Sequence, residues 1–278
     1  MKPPAVFLQY LLPKQTLTAL AGKFASAKAG ALTTAVIRWF VGHYRVDMNE
    51  AAESDVTRYG SFNEFFTRSL KAGVRPIADA ALVCPVDGAI SQCGLLNGDQ
   101  VVQAKGHVYS TTALIGGDAS LAAQFSNGHF ATIYLSPRDY HRIHMPCDGQ
   151  LTRMIYIPGA LFSVNPTTAQ HVPGLFARNE RVVCVFESAH GPFVMVLVGA
   201  TIVGSMATVW HGVVNATRTD TMREWRYDAG AVSLEQGAEM GRFLLGSTVV
   251  LLVPKGRLEF PRDWQPARAV RMGEVMSR

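Results

Sequence analysis

The sequence is poor in charge, in cysteine and in long apolar runs, and each shortage excludes a class of protein. Only 17% of the 278 residues are charged and 48% are hydrophobic, which excludes a disordered chain. The four cysteines (Cys84, Cys93, Cys147 and Cys184) form no C-x-x-C pair and no Cys/His group with zinc spacing. They are interpreted as reduced thiols in a cytosolic compartment, and no metal site is predicted. No stretch reaches the roughly 18 uncharged apolar residues that a membrane-spanning helix needs.

The net charge of +5 is concentrated near the N terminus. Residues 1–50 contain six basic and two acidic side chains, whereas the rest of the chain is nearly balanced. Because the body is close to neutral and contains no RNA- or DNA-binding motif, nucleic acid is not an expected partner.

The first 60 residues show the periodicity of amphipathic helices. Leu17, Leu20 and Phe24 share one helical face. After Gly30 the pattern returns with a stripe formed by Leu32, Ala35, Val36, Trp39 and Phe40. These stripes either pack on the rest of the protein or contact a lipid surface, since basic residues beside aromatic ones are typical of interfacial helices. The pattern alone favours neither interpretation.

A third helix is predicted from Ser61, where Ser61 and Glu64 have the spacing of a capping box, toward Lys71. From about residue 82 the chain changes to short β-type runs separated by glycine and proline. Examples are residues 129–135, 150–157, 181–186, 194–203 and 248–253. The prediction is an α+β protein, mainly a β sandwich or barrel-like body with N-terminal amphipathic helices.

Two similar segments each place an aspartate before a glycine and an apolar strand. They are PVDGAI at 85–90 and PCDGQL at 146–151, and they suggest a duplicated β motif. Asp87 and Asp148 therefore occupy the same context. Each is a candidate acid, although an aspartate at such a position is more often only a turn residue.

The segment LGST at 245–248 precedes an apolar strand and is compatible with acyl transfer within the chain. Gly246 has no side chain, so the Ser247 hydroxyl can reach the preceding carbonyl, and glycine tolerates a strained backbone. A serine nucleophile needs a base, usually a histidine oriented by an acid. His141 and His144 are histidines that could act as this base. Their spacing does not show whether they supply a base, bind a metal together or lie on the surface.

The chain resembles the bacterial phosphatidylserine decarboxylases over most of its length. Eight segments carry the likeness, in the same order and at similar spacing: FNEFFTR at 62–68, PVDG at 85–88, AKGHVYS at 104–110, YLSPRDYHRIH at 134–144, PGALFSVNP at 158–166, NER at 179–181, VGATIVGS at 198–205 and LGST at 245–248. Several long motifs in sequence are a specific signal, whereas one four-residue match is not.

The resemblance implies a self-cleaving proenzyme and assigns its residues. Asp87 matches the family's acid, His144 its base and Ser247 its nucleophile, and His141 matches a second histidine that handles substrate. Cleavage between Gly246 and Ser247 would give a β chain of residues 1–246 and an α chain of residues 247–278. Ser247 would become a covalent pyruvoyl group, so no external cofactor is implied.

The implied activity is conversion of phosphatidylserine to phosphatidylethanolamine through a Schiff base with the pyruvoyl group, a carboxy-lyase step in phospholipid biosynthesis. The expected partners are phosphatidylserine in the membrane and the two chains of one precursor, which form a heterodimer with room for further pairing. The resemblance also favours the lipid interpretation of residues 1–60, ahead of a β-rich domain at 61–278. A peripheral location on the cytoplasmic face of the cell membrane follows.

Three alternatives stay open. A pyruvoyl enzyme for a soluble amino acid has no use for a basic, aromatic N-terminal pair of helices. A lipid hydrolase using Asp87, His144 and Ser247 predicts an intact chain, and a lipid-binding module predicts binding without turnover. For the substrate phosphate, Arg138 and Arg142 are both candidates, and the sequence does not choose between them.

Overall fold

The computed structural model describes residues 3–201, 205–216, 218–244, 247–256 and 259–277. Its helices are α1 (Pro4–Leu11), α2 (Lys14–Ser26), α3 (Ala31–Tyr44), α4 (Phe62–Phe66), α5 (Thr111–Leu114), α6 (Ala119–Ala123), α7 (Pro166–Ala169) and α8 (Leu175–Arg178), with a 3₁₀ turn at Val56–Arg58. Its strands are β1 (Leu82–Val83), β2 (Gly88–Leu95), β3 (Gln100–Ala104), β4 (His107–Ser110), β5 (His129–Tyr134), β6 (Arg142–His144), β7 (Gly149–Ile157), β8 (Arg181–Glu187), β9 (Phe193–Val198), β10 (Met206–Thr208), β11 (Gly212–Val213), β12 (Arg223–Arg226), β13 (Ser233–Leu234), β14 (Glu239–Phe243), β15 (Thr248–Val253), β16 (Ala269–Val270) and β17 (Val275–Ser277).

A nine-stranded antiparallel sheet forms the centre of the protein. Its strand order is β12-β7-β8-β9-β15-β5-β2-β16, and β13 also pairs with β7. A four-stranded sheet has the order β11-β10-β14-β6, and β1-β17 and β3-β4 form two small ribbons. The predicted α+β class with N-terminal helices is confirmed, and among the described strands the sheets stay open instead of closing into a barrel.

The large sheet is covered on both faces, which explains why its central strands are apolar without interruption. Every residue of β9 and β15 is buried. Because side chains alternate between faces, Leu251 packs in one core with Ile143 and Met240 of the four-stranded sheet. Val250 points the other way and packs with Leu114 and Leu175, from the short helices α5 and α8.

The N-terminal helices belong to the fold through a third, smaller core. Ile37 and Phe40 of α3 pack there with Phe62, Phe65 and Phe66 of α4. Helices α2 and α3 confirm the predicted periodicity, whereas α4 is shorter than predicted and ends at Phe66, not near Lys71. The capping interaction itself is present, since the Ser61 hydroxyl accepts a hydrogen bond from the Glu64 backbone.

Most of the predicted β runs match strands to within two residues. The run predicted at 194–203 is shorter because β9 ends at Val198, and residues 202–204 lie outside the described part of the chain. Both D-G segments lead directly into strands, with Gly88 opening β2 and Gly149 opening β7. Glycine is required at the first position, because a Cβ on Gly88 would lie 2.4 Å from the Tyr134 carbonyl oxygen.

Candidate active site

Asp87 lies buried at the entrance to β2 and is held by an arginine. Its Oδ1 and Oδ2 accept hydrogen bonds from Arg75 Nε at 3.0 and 3.1 Å, and Oδ1 also accepts from the Met272 backbone N–H at 2.9 Å. The side chain of Arg75 is only 6% exposed and also contacts Glu50, at 2.7 Å. Although burial opposes it, hydrogen bonding to both carboxylates raises the pKa of Arg75. Asp87 therefore has a permanent buried counter-ion.

His144, at the end of β6, is oriented by a backbone carbonyl. Its Nδ1 lies 2.7 Å from the Gly237 carbonyl oxygen and its Nε2 lies 3.1 Å from Tyr140 Oη. A carbonyl oxygen only accepts, so the neutral ring carries its proton on Nδ1, and Nε2 is a free base that accepts from the Tyr140 hydroxyl. Gly237 has a φ of +78°, a left-handed conformation that favours glycine.

Burial lowers the pKa of His144, and the charges of Glu239 and Asp87 partly oppose this effect. Asp87 thus acts on His144 through space. No hydrogen bond joins the two side chains in the part of the chain that the structure describes. The group that contacts His144 Nδ1, where an acid was expected, is the Gly237 carbonyl.

His141 is completely buried and stacks on Phe66, with ring centroids 4.0 Å apart. Neither ring nitrogen makes a well-formed hydrogen bond within the described residues, although the nearby backbone of Ser136 and Pro137 favours the protonated ring. Burial, and secondarily the nearby Arg68 guanidinium, lower the pKa of His141 to about 3. The ring is therefore neutral at physiological pH.

Because the pKa values of both histidines are lowered, we expect the free energy of unfolding to fall on mild acidification. Both have folded-state pKa values below 6.5, so below about pH 6.5 the unfolded chain binds protons that the folded chain does not. Each pH unit below that point should cost up to about 1.4 kcal/mol per histidine in the free energy of unfolding. Urea unfolding of the uncleaved Ser247→Ala protein between pH 7.5 and 5.5 measures this loss, and adding His141→Phe should reduce it by about half. If His141→Phe leaves the pH dependence of the free energy of unfolding unchanged, His141 is already charged in the folded protein.

Ser247 lies immediately before β15, and its hydroxyl is an isolated buried group. The residue has no exposed surface, its carbonyl accepts a hydrogen bond from the Leu135 backbone at 2.9 Å, and its Oγ has no partner among the described residues. Leu245 and Gly246 lie outside the described residues, so the geometry of the predicted cleavage bond is not specified.

The topology brings Ser247 close to the histidine segment. Strand β14 runs antiparallel to β6, and the Phe243 backbone N–H donates to the His141 carbonyl at 3.0 Å. The chain thus leaves the small sheet at the His141 end, four residues before Ser247. Asp148 lies elsewhere, since it is exposed and accepts a hydrogen bond from the Gln236 backbone, as a turn aspartate does.

A cavity of about 500 Å³ opens beside Asp87 and Tyr140, and its described lining does not include Ser247, His141 or His144. Its walls include Asp87, Tyr134 and Tyr140 together with the arginines Arg68 and Arg138. Sequence reasoning did not identify Arg68, Arg75 or Gly237. Among the residues that the structure adds to the site, Arg68 and Tyr140 belong to motifs that carry the family resemblance, so the sequence could have indicated them.

Several known proteins are similar to this chain over nearly its whole length. The family model described as phosphatidylserine decarboxylase matches residues 62–278, and a second model, described as PSD, matches residues 4–45. The chain is 71% identical over 272 residues to a phosphatidylserine decarboxylase proenzyme of Dechloromonas aromatica, covering 98% of this chain and 96% of that one. The chain belongs to the phosphatidylserine decarboxylase family.

Other family members are similarly close. The proenzyme of Albidiferax ferrireducens is 70% identical over 99% of this chain and 96% of its own length, and that of Polaromonas naphthalenivorans is 71% identical over 98% and 96%. The resemblance inferred from eight short motifs is therefore confirmed along nearly the whole chain, including the N-terminal helices.

Proposed function

We propose that this protein decarboxylates phosphatidylserine to phosphatidylethanolamine, using a pyruvoyl group that it makes from its own Ser247. The family's name supports the reaction, and the word proenzyme in the relatives' names supports a processing step. The observation that carries the proposal is the Ser247 hydroxyl, buried without a partner among the described residues and immediately before a central strand. A buried polar atom without a hydrogen bond is costly. Unlike the neighbouring Thr248, Ser247 directly follows the glycine whose carbonyl it would attack.

The proposed cleavage begins with attack of Ser247 Oγ on the Gly246 carbonyl carbon, which converts the peptide bond into an ester and frees the serine amine. Loss of the Cα proton then breaks the Oγ–Cβ bond, leaving Gly246 as a carboxylate and residue 247 as dehydroalanine. One water hydrolyses its imine tautomer, releasing ammonia and a pyruvoyl group that blocks the new N terminus. The base must therefore remove a proton from the hydroxyl in the first step.

His144 is the proposed base, acting through Nε2. The Gly237 carbonyl keeps the proton on Nδ1, so Nε2 has the lone pair that the reaction needs. Its present partner is the Tyr140 hydroxyl, so attack requires Nε2 to exchange that hydrogen bond for one from Ser247. Asp87 stabilises the imidazolium that forms by its charge and not by contact.

When present, the pyruvoyl group would supply an electron sink for the electrons released as carbon dioxide leaves the substrate. The residues around it keep the site dry, since Ser247, His141 and Thr248 have no exposed surface. His141 is proposed to handle the substrate, and neither nitrogen of its neutral ring has a well-formed hydrogen bond among the described residues.

The two products of cleavage are proposed to remain together as a heterodimer. The short α chain, residues 247–278, would include β15, which pairs along its whole length with β5 and nearly all of it with β9 in the middle of the large sheet. It would also include β16 and β17, which pair with β2 and β1. Removing such a chain would disrupt both large cores, so dissociation would amount to unfolding.

Denaturing mass spectrometry of the purified wild-type protein tests the proposal. It should show fragments of residues 1–246 and 247–278, the smaller one lighter by one ammonia than its serine form. Incubation with phosphatidylserine should then give phosphatidylethanolamine and carbon dioxide. An intact, folded chain that hydrolyses lipid, or binds it without turnover, would replace the proposal by one of the alternatives.

Membrane contact through residues 1–60 is part of the proposal. The described helices include none that is long and apolar enough to cross a bilayer. Large apolar side chains on α1, α2 and α3 are nevertheless exposed to solvent: Phe7, Leu8, Leu11, Leu17, Leu20, Phe24, Leu32 and Trp39. Apart from Phe40, which is buried, the predicted apolar stripes therefore lie mostly at the surface, and exposed basic residues such as Lys23 and Arg38 lie on the same helices, as in interfacial helices.

Substitution of this surface should reduce membrane binding without unfolding the protein. Changing Leu11, Leu20 and Trp39 together to glutamine should weaken binding to phosphatidylglycerol vesicles at least tenfold, measured by co-sedimentation. Deleting the helices is a poorer test, because Val6 and Ile37 belong to buried cores. The matched control changes Leu95, Val102 and Val108 to glutamine, since these residues are also exposed but lie on β2–β4. Equal losses in both triple variants would contradict a specific docking surface.

A further inference from the structure

Arg68 is a buried arginine that has no counter-ion among the described residues, and it borders the cavity beside Asp87 and Tyr140. The residue is 5% exposed, and neither its Nε nor its Nη1 has a hydrogen-bond partner among the described residues. Its Nη2 donates to the Arg138 carbonyl at 3.3 Å, and the guanidinium lies over the Phe65 ring at 5.4 Å. Two charged donors are therefore kept out of water without an acceptor.

The acids around Arg68 are already committed to other groups. Asp87 and Glu50 both accept hydrogen bonds from Arg75. Asp139 accepts from the Ser136 backbone at 2.7 Å, and burial raises its pKa toward the neutral form. Charges are seldom buried unless they are paired, and none of these three acids is available to Arg68, so its position suits an anion from outside the chain.

The other arginines nearby are worse placed to bind a ligand. Arg142 donates to the Thr67 carbonyl and to Glu239, each at 2.9 Å, which occupies its guanidinium. Arg138 lines the cavity but its side chain is 67% exposed, and its nearest acid, Asp139, lies 3.9 Å away. Of the two arginines that the sequence left as candidates, one is occupied and the other is solvated.

Arg68 is also close to the reacting groups. Its charge acts on the ring of His141, and the Ser247 carbonyl is held by Leu135, next to the segment that leads to Arg138. Asp87 and Tyr140 line the same cavity as Arg68, and the Tyr140 hydroxyl contacts His144 Nε2, so a ligand bound at Arg68 would lie beside the groups that contact the proposed base. A cavity of about 500 Å³ is within the range of small-molecule sites and accommodates a polar headgroup.

We infer that Arg68 binds the phosphodiester of a phospholipid headgroup, an inference that rests on the proposed function. A phosphoserine headgroup has two anionic groups, and only one suits a fixed arginine. The carboxylate loses its charge as carbon dioxide leaves, so an ion pair with it would stabilise the substrate more than the transition state. The phosphodiester keeps its charge throughout, and the planar guanidinium matches its two free oxygens.

The first test measures binding without turnover, in the uncleaved Ser247→Ala protein. Glycerophosphoglycerol, which has a phosphodiester but neither amine nor carboxylate, is titrated and followed by phosphorus NMR. Arg68→Met should weaken this binding at least tenfold, Arg68→Lys less, and Arg262→Met, which removes an exposed arginine elsewhere, not at all. Unchanged binding in Arg68→Met, or no binding to the parent protein, would overturn the inference. So would a selective loss of N-acetylserine binding, which would assign the carboxylate instead.

The second test uses the cleaved enzyme and short-chain phosphatidylserine below its micelle concentration. Arg68→Met should raise KM at least tenfold and leave kcat within threefold, with an unchanged or higher melting temperature because an unpaired buried charge is removed. A lower melting temperature with unchanged KM would show a structural role. If the wild type fails to decarboxylate phosphatidylserine while Arg68→Met still abolishes phosphodiester binding, the proposed function fails and the binding site stands.

Discussion

Ser247→Ala is expected to leave one uncleaved chain of 30.2 kDa without decarboxylase activity. The substitution removes the only atom proposed to attack the Gly246 carbonyl, and without cleavage no pyruvoyl group forms. The effect should be complete, since both the processing step and the later chemistry depend on this side chain. Denaturing mass spectrometry and release of carbon dioxide from phosphatidylserine measure the two losses separately.

The same substitution should not destabilise the fold. Ser247 Oγ is buried and makes no hydrogen bond within the described residues, so replacing the hydroxyl by hydrogen removes an unsatisfied polar atom. The matched control is Thr248→Val, because Thr248 Oγ1 is also buried and unpartnered, one residue further along the chain. Thr248→Val should be cleaved and active. Cleavage of the Ser247→Ala protein, or an equal loss in Thr248→Val, would contradict the assignment of Ser247.

Continuous apolar runs made much of the large sheet predictable. Strand β15 has the predicted bounds, and β5, β7 and β8 differ from their predicted runs by at most one residue at either end. Such runs are read correctly because both faces of the sheet are covered, so every position prefers an apolar side chain. The pairing of strands distant in the chain is set by contacts that no local pattern encodes.

The helices show the same limit in another form. The periodicity of α2 and α3 predicted their existence, but not that Leu20 and Trp39 would be exposed while Thr18 and Thr33 are buried. A helical stripe tells which residues share a face, and not whether protein, lipid or water covers that face.

For the candidate site, motifs located the reactive side chains but not the groups that hold them. Asp87, His144 and Ser247 were named from the chain alone. A contact was expected between Asp87 and His144. In the structure Asp87 instead contacts Arg75, and His144 contacts the Gly237 carbonyl. Arg75 and Gly237 come from distant segments. Every residue has a backbone carbonyl, so the residue type does not indicate which carbonyl will contact the histidine. The assigned roles stay predictions.

The second large effect concerns Arg75, which holds the charge of Asp87 in the interior. Arg75→Met should lower the free energy of unfolding by about 3–5 kcal/mol, because it leaves a buried carboxylate without its partner. The side chains of Arg75 and Asp87 are 6% and 9% exposed, so water offers little compensation. Arg153→Met is the matched control, since Arg153 also pairs with two carboxylates, Asp118 and Glu224, but nearer the surface. Its cost should be about 1 kcal/mol.

Combining Arg75→Met with Asp87→Asn distinguishes a lost ion pair from lost packing. If the penalty comes from the stranded charge, the double variant should be more stable than the sum of the single effects predicts, by at least about 2 kcal/mol. Urea unfolding of the four proteins, each with Ser247→Ala so that a single chain is measured, gives this coupling. Additive effects would mean that Arg75 contributes only its packing. The cleavage rate, measured with Ser247 intact, should fall in Arg75→Met and not in Arg153→Met, because only Arg75 positions the carboxylate whose charge reaches His144.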